Sequence, residues 1–325
     1  MTTRRTFLSL TAASLATPAL SKLAFAQAWP STKPIRVIVP FSAGSSLDVI
    51  ARIVSAQVST EIGQTMVIEN RGGAAGSIGA AIVAKAEPDG YTILAHASAH
   101  TLAPAIYAKL PYDASADFAG IISFGTLPNV LVVNPSKGYK TIQEFVAAAK
   151  ASGEFTYASA GIGSTTHWAA ERLRASAGFK GVHVPYKGGL DALTEVFAGR
   201  VDFACMGLSS ALSFIQNKQL VALAVSTPNR SKALPDVPTT LEAGYKDSDY
   251  NYWNGYLAPA QTPRPVVEKL YEVTKKVLAQ PDVMEKFVPQ GIEPMPVTPA
   301  SFDAIIKKEI ADNKALVKAI GLTPT

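Results

Sequence analysis

The hydrophobic pattern of the chain alternates between two periods. Short apolar runs such as VIVPF (residues 37–41) and FTYAS (residues 155–159) have the length of buried strands. The first run leads into LDVIARIV (residues 47–54), in which apolar residues recur with helical spacing. Repeated alternation of this kind predicts an α/β fold built mainly on parallel sheets. A chain of 325 residues without low-complexity tracts is expected to form two domains.

The joints between these strands and helices are rich in glycine and serine. Residues 42–46 (SAGSS) follow the first run, and residues 159–164 (SAGIGS) repeat the device in the other half of the chain. Neither turn contains lysine or arginine, although Asp48 follows the first. Two further joints, residues 186–189 and residues 209–210, have similar chemistry. One such turn is ordinary loop chemistry, because short loops need glycine and helices need serine or threonine caps.

Four joints of this kind, divided between two halves, predict a ligand site. Ligands of open α/β sheets bind beyond the carboxyl ends of the strands, where these joints lie. A helix N-terminus offers unpaired N–H groups and roughly half a positive charge, which suffices for a carboxylate without a lysine or arginine. A triphosphate would need the glycine and lysine pattern of a phosphate-binding loop, and that pattern is not present. The expected ligand is therefore a small organic carboxylate.

The first residues predict an export signal. Residues 1–26 contain the Arg4-Arg5 pair, an uncharged stretch and an A-x-A cleavage motif at residues 24–26. The paired arginines indicate the twin-arginine route, and the expected location of the mature chain is the periplasm. Cleavage would remove Arg4, Arg5 and Lys22 but no acid, so the formal net charge would fall from +5 to +2. That balance, without a dense basic run, excludes a nucleic-acid partner.

Eight segments of the chain, taken in order, resemble the Bug family, the periplasmic solute receptors of tripartite tricarboxylate transporters. They are residues 33–41, 67–71, 88–92, 109–113, 159–164, 183–189, 233–239 and 257–259. The resemblance implies a type II periplasmic-binding fold, with two α/β domains joined by two crossing strands. We expect residues 27–128 and 253–325 in the first domain and residues 129–252 in the second. The crossings are expected near residues 127–132 and 252–257.

The resemblance also implies a set of ligand contacts, since the family holds a carboxylate through the first and second Gly/Ser turns. Carried over by position, the contacts are Phe41, Ser42, Ala43, Gly44, Ser45, Ser46, Asp48, Ser159, Ala160, Gly161, Gly163, Ser164 and Thr165. Four further candidates are Ser98, His100, Tyr186 and Met206. The implied partners are the carboxylate and the membrane subunits of a transporter. A monomer without metal or cofactor is expected.

Three positions depart from the family pattern. Leu47 stands where a hydroxyl residue is common, Ile162 where asparagine is common, and Met206 where amino-acid-binding members tend to have an acid. A buried ammonium group needs an acidic partner. The departures therefore favour a ligand with an apolar or aromatic body over an amino acid, unless these three side chains point into the domain cores.

Two other classes of function have weaker support in the sequence. An exported hydrolase would need Ser164, His167 and Asp48 to meet as a triad. No G-x-S-x-G motif is present, and Ser164 is better explained as a helix cap. A zinc site would need His96 and His100 on one helical face with further ligands, whereas we expect both to lie in a loop lining the cleft.

Three large side chains and the downstream partner leave alternatives open. Lys187 is expected to point to water, although it could supply the cation that the turns lack. Trp168 is expected in the core, whereas Trp253 could lie in the core or stack on an aromatic ligand. A receptor that feeds a sensor kinase would need the same liganded form as a transport receptor, and the sequence does not separate the two.

Overall fold

The computed structural model describes residues 29–30 and 33–319. The predicted signal peptide, residues 1–26, lies outside the described residues together with its arginine pair. Over the described residues, no helix combines the length and the apolar character that crossing a membrane requires.

The first part of the chain alternates strands and helices, as its hydrophobic pattern predicts. Its elements are β1 (Ile35–Val39), α1 (Ser46–Ile62), β2 (Met66–Asn70), α2 (Ser77–Ala84), β3 (Thr92–Ala97) and α3 (Ala99–Ile106). A 3₁₀ turn, Ala74–Gly76, precedes α2. We call this part, with the last elements of the chain, the first lobe.

The middle of the chain repeats the alternation and forms the second lobe. It begins with the long strand β4 (Phe118–Val133), which both lobes share. The following elements are α4 (Ile142–Ser152), β5 (Phe155–Ser159), α5 (Thr165–Ala177), β6 (Gly181–Pro185), α6 (Gly189–Phe197), β7 (Phe203–Gly207), α7 (Leu208–Gln216) and β8 (Val221–Val225). The chain then returns to the first lobe through β9 (Asn251–Pro259), α8 (Arg264–Leu278), α9 (Pro281–Phe287) and α10 (Pro299–Ala319).

One mixed sheet runs through both lobes, in the order β2-β1-β3-β9-β4-β7-β5-β6, with β8 paired to β4. The neighbours of β1 and of β5 are parallel, whereas β9 runs antiparallel to β3 and β4. The sheet is thus more mixed than the expected, mainly parallel one. The reason is that β4 and β9 enter from the opposite lobe and run against the strands that they join.

The strand β4 connects the lobes directly. It pairs with β9 from Phe118 to Pro128, and with β7 and β8 from Asn129 to Val133. The return connection enters β9 after Tyr250, whose N–H donates to the carbonyl of Ser226 in the second lobe (2.6 Å). The architecture is the predicted periplasmic-binding type, in which two strands cross between the lobes.

Local capping chemistry sets the ends of the helices that flank the Gly/Ser turns. The hydroxyl of Ser45 accepts the N–H of Asp48 at the start of α1, and Gly63 ends that helix with a φ of 69°. Ser164 caps α5 in the same way, through the N–H of His167. Thr141 accepts the N–H of Glu144 at the start of α4. The cap predicted at Ser164 is confirmed.

A small apolar cluster joins the two lobes behind the cleft. Trp168 of α5 is 1% exposed and packs with Leu102, Ala105 and Ile106 of α3 and with Val317 of α10. Burial of a tryptophan against two helices of the other lobe fixes where α5, and therefore the second Gly/Ser turn, sits relative to the first lobe. The expected core position of Trp168 is confirmed.

Replacing Trp168 with alanine should lower the free energy of unfolding by about 3–5 kcal/mol, because it leaves a large cavity between α3, α5 and α10. Chemical denaturation monitored by circular dichroism measures this change. As a control, Val182→Thr alters a side chain that is 54% exposed and should shift stability by no more than about 0.5 kcal/mol. Equal stability of the Trp168 variant and the parent would contradict a joining role.

Candidate functional site

The two Gly/Ser turns meet in the space between the lobes. The first turn joins β1 to α1, and the second joins β5 to α5. Residues from both turns line a small cavity of about 40 Å³, here called the inner cavity. Its full lining is Phe41, Ser45, Ser46, Leu47, Ala97, Ala160, Ser164, Thr165, Thr166, Gly189, Met206, Gly207, Ser210, Tyr252 and Asn254.

The inner cavity has neutral walls, since none of its lining residues has an ionised side chain at neutral pH. The two helices that follow the Gly/Ser turns begin there instead. Ser46 and Leu47 open α1, and Thr165 and Thr166 open α5. The first N–H groups of a helix have no partner within the helix and carry partial positive charge. Two such N-termini in an otherwise neutral wall suit an anion as small as a carboxylate.

Asp48 shapes the first turn from behind. Its carboxylate accepts hydrogen bonds from the Gly44 N–H (2.9 Å), the Asn70 side-chain amide (2.8 Å) and the Arg52 guanidinium (3.0 Å). Burial would raise the pKa of Asp48, but these three donors outweigh it and hold the pKa below its usual value. The carboxylate of Asp48 is therefore engaged within the turn, where it holds Gly44 at a φ of 79°.

Two stacked histidines support the second turn. The ring of His167 lies 4.1 Å from that of His183, centroid to centroid. The Gly163 N–H donates to Nδ1 of His167 (3.1 Å), and the Ser159 hydroxyl pairs with Nε2 of His183 (2.6 Å). Burial lowers the pKa of His167 to about 4 and that of His183 to about 3, where His167 also contributes. Both rings are therefore neutral supports at neutral pH.

Direct contacts between the lobes flank the inner cavity. The hydroxyl of Ser46 lies 3.1 Å from that of Ser210, and it also accepts the Ser210 N–H (3.3 Å). A Cβ on Gly207 would come within 2.3 Å of the Ser46 Oγ, so this approach requires a glycine. At the other side, the Tyr107 hydroxyl donates to the carbonyl of Ile162 (2.7 Å). The lobes are thus closed on each other.

A wider groove of about 550 Å³ opens beside the inner cavity and shares Ala160 with it. We call it the outer groove; its lining is Gly73, Ala74, Ala75, Tyr107, Ala160, Gly161, Ile162, Pro185, Tyr186, Lys187 and Asp191. Ala74 and Ala75 have φ values of 46° and 50°, an unusual conformation for alanine. The groove contains both a cation and an acid, so its chemistry differs from that of the neutral inner cavity.

The structure divides the predicted contact residues into three groups. Those lining the inner cavity are Phe41, Ser45, Ser46, Ala160, Ser164, Thr165 and Met206. Those lining the outer groove are Ala160, Gly161 and Tyr186. Those lining neither are Ser42, Ala43, Gly44, Asp48, Ser98, His100, Ser159 and Gly163.

Four members of the last group support the turns rather than facing the space between them. Gly44 and Asp48 bond to each other, Ser159 bonds to the Gly161 backbone and His183, and the Gly163 N–H bonds to His167. The Ser42 hydroxyl lies against Gly188, where a Cβ would be 1.8 Å from Oγ.

His100 and Ser98, which the sequence predicts as ligand contacts, line neither the inner cavity nor the outer groove. His100 is 0% exposed within α3, and its Nε2 lies 2.8 Å from the Ala114 carbonyl. The hydroxyl of Ser98 accepts a hydrogen bond from the Trp253 N–H of β9 (3.0 Å). The indole of Trp253 packs edge-on against Phe302 in the first lobe, so Trp253 belongs to the core.

Seven polar or small lining residues were not among the predicted contacts, namely Ala97, Thr166, Gly189, Gly207, Ser210, Tyr252 and Asn254. The Ser209-Ser210 joint was a usable signal for two of them, because it follows a strand and opens a helix. Tyr252 and Asn254 lie on β9, and a crossing strand gives no local sign of which side chains face the cleft. The one hint in the sequence that Asn254 faces the cleft is that it is a polar residue within the apolar run of residues 252–257.

Among the described residues, the side chains that a catalytic triad or a metal site would need are not brought together. The Ser164 hydroxyl lies 2.9 Å from that of Thr166, and Nδ1 of His167 is taken by the Gly163 N–H. Asp48 is bound within its own turn, so no triad forms. The rings of His96 and His100 are tilted by 59° to each other, with 5.3 Å between their centroids. No group of three or more His, Cys, Asp or Glu side chains within residues 29–30 and 33–319 is placed to hold a metal ion.

Comparison with known proteins places this site in context. The family model described as "Tripartite tricarboxylate transporter family receptor" matches residues 50–322. The chain is similar to the periplasmic binding protein BugD, with 31% identity, a TM-score of 0.88 and coverage of 91% of this chain and 100% of that one.

Two similar structures were solved with acids. An R. palustris protein with adipate has 30% identity and a TM-score of 0.88, and covers 91% of this chain and 100% of its own. MatC from Rhodopseudomonas palustris, with bound malate, has 29% identity and a TM-score of 0.84, and covers 88% of this chain and 99% of its own.

The buried histidines predict acid sensitivity. Burial lowers the pKa of all four, His96, His100, His167 and His183, so the folded chain stays unprotonated at these rings while the unfolded chain takes up protons. The free energy of unfolding should have its full value above about pH 6.5 and should fall as the pH drops towards about 4. Each ring contributes up to about 1.4 kcal/mol per pH unit to this fall. Glu309 and Asp303, whose pKa burial raises, oppose this loss in part.

Urea denaturation at a series of pH values measures the slope of stability against pH. His183→Gln should make that slope shallower, because one titrating group is gone. A stability that is flat between about pH 6.5 and pH 4 would contradict the neutral state of these rings.

Proposed function

We propose that this chain, which belongs to the tripartite tricarboxylate transporter family of receptors, binds one small organic carboxylate between the lobes, with its carboxylate group in the inner cavity. The observation that carries the proposal is the meeting of two helix N-termini, α1 and α5, in a cavity with neutral walls. Each charge-assisted hydrogen bond to a carboxylate is worth about 1.5–3 kcal/mol net. A few such bonds give useful affinity while the ligand remains releasable. The similar proteins solved with adipate and malate support a carboxylate ligand.

The body of the ligand is proposed to be apolar. Leu47 and Met206 line the inner cavity beside Phe41, and Ile162 lines the outer groove. Leu47 and Met206 are already 4% and 1% exposed, so the gain comes from the apolar surface that the ligand itself buries against them, at about 25 cal/mol per Å². An ammonium group in the inner cavity would have no acidic partner among the lining residues. These features favour an aromatic or aliphatic acid over an amino acid.

The biological role follows from the family. We propose that residues 1–26 direct export, that the mature monomer works in the periplasm, and that it delivers its carboxylate to the membrane subunits of a tripartite tricarboxylate transporter. The closed contacts of Ser46 with Ser210 and of Tyr107 with Ile162 support capture between two lobes. Loss of acid uptake on deletion of the gene, restored by the parent sequence but not by a chain lacking residues 1–26, tests this role.

Binding of benzoate-type acids should exceed binding of aspartate, glutamate and citrate. The apolar lining favours a ligand with an apolar body, because each polar group of the ligand that is buried without a partner costs about 1–3 kcal/mol of binding free energy. Isothermal titration calorimetry at fixed pH should show one site per chain, with competition between acids for that site. Tighter binding of citrate or aspartate than of every aromatic acid tested would refute an apolar-bodied ligand.

The turns, rather than a lysine, should hold the carboxylate. Gly163→Val should weaken acid binding by about tenfold or more, since a Cβ at that position, with a φ of 80°, would lie 3.3 Å from Ile106 and displace the second turn. Lys187→Ala should leave affinity nearly unchanged, because Lys187 lines only the outer groove. Calorimetry with one aromatic acid compares the two variants.

A matched control separates binding from backbone strain. Gly178 ends the same helix, α5, with a φ of 69° and open space around a Cβ. Gly178→Val should therefore be strained like Gly163→Val yet keep its affinity. If Lys187→Ala abolished binding while Gly163→Val did not, the proposed role of the helix N-termini would be wrong.

A further inference from the structure

One side chain of the inner cavity has all of its hydrogen-bonding capacity unused. Asn254 lies on β9 between Trp253 and Gly255 and is 0% exposed. Neither Oδ1 nor Nδ2 of its amide has a hydrogen-bond partner among the described residues. A buried polar group without a partner costs about 1–3 kcal/mol, so folded proteins rarely keep one without a functional reason. The fold itself gives this amide nothing to bind.

Most of the other polar side chains around the cavity are already engaged in hydrogen bonds. The Ser45 hydroxyl accepts the Asp48 N–H, and the Ser46 hydroxyl pairs with Ser210. The hydroxyls of Ser164 and Thr166 pair with each other. These groups maintain the turns and the contact between the lobes. The amide of Asn254 is therefore available to form hydrogen bonds with a ligand.

The position of Asn254 suits such a role. Its backbone pairs with Gly125 of β4 and with Ala97 of β3, so it is anchored in the middle of the mixed sheet. The Asn254 backbone is thus fixed by two neighbouring strands, whereas the turns belong to separate lobes. A ligand that reaches the two helix N-termini lies in the same small cavity as this amide.

We propose that Asn254 determines specificity at the carboxylate site, and that it selects acids with a hydroxyl group near the carboxylate. The inference rests on the proposed carboxylate function. A carboxylate has only acceptors and can satisfy the N–H₂ of the amide, but it leaves Oδ1 without a donor. A ligand hydroxyl supplies that donor, so both halves of the amide are paired. An acid without the hydroxyl leaves one buried oxygen unpaired.

Two matched pairs of acids test the proposal, malate against succinate and 3-hydroxybenzoate against benzoate. The wild-type chain should bind the hydroxylated member of at least one pair about tenfold more tightly by calorimetry. Asn254→Leu should bring that ratio close to one. Asn254→Asp should weaken every carboxylate, because a second negative charge would enter a cavity without a cation.

Thermal unfolding of the ligand-free variants separates recognition from structure. Asn254→Leu should be as stable as the parent or more stable, because it removes an unpaired buried amide. A purely structural asparagine would instead make this variant less stable. Asn129 is the matched control, since it is 1% exposed and its amide is also unpaired, yet it does not line the inner cavity. Asn129→Leu should leave the ratio between the acids unchanged.

The outcomes distinguish this proposal from the function on which it rests. Failure of the wild-type chain to bind any of the four acids would overturn the carboxylate function and this assignment together. Binding of the acids with no preference for the hydroxylated members would overturn the assignment alone. A preference that survives in Asn254→Leu would also overturn it.

Discussion

Stabilising a negative charge in a cavity without a cation is the constraint on which the rest of this structure depends. A carboxylate that leaves water needs several donors, and in the proposed site the backbone at the start of α1 and α5 would supply them. Helix N-termini work only if the turns before them keep their shape. The charged groups near the site therefore act on the turns: Asp48, with Arg52 beside it, fixes the first turn, and neutral His167 fixes the second.

The same constraint explains how the lobes are joined. The two helix N-termini belong to different lobes, so the cavity exists only when the lobes are held at a defined distance. Trp168 sets that distance behind the cleft, and Ser46 with Ser210 sets it beside the cavity. The central strands β4 and β9 supply the fixed frame. The site is thus assembled from turns that belong to separate lobes and from an amide, that of Asn254, which belongs to the strands shared by both lobes.

Local chemistry made much of this predictable from the sequence. The Gly/Ser turns, the cap at Ser164, and the alternation of strands and helices depend on neighbours a few residues away. Long-range packing made the rest inaccessible. His100 follows a strand as a ligand residue would, but the helix α3 turns it into the core beside Ala114. Asp48 has a place in the turn motif, yet only the fold shows that its carboxylate faces Asn70 and Gly44. Asn254 becomes visible only once β9 is placed between the lobes.

A crystal structure of the mature protein with a bound aromatic carboxylate would show directly which groups hold the acid. The carboxylate oxygens should lie about 2.7–3.2 Å from backbone N–H groups in the first turns of both α1 and α5. No lysine or arginine should touch the carboxylate. A carboxylate bound to Lys187 in the outer groove, with both helix N-termini unoccupied, would contradict the proposed role of those N-termini.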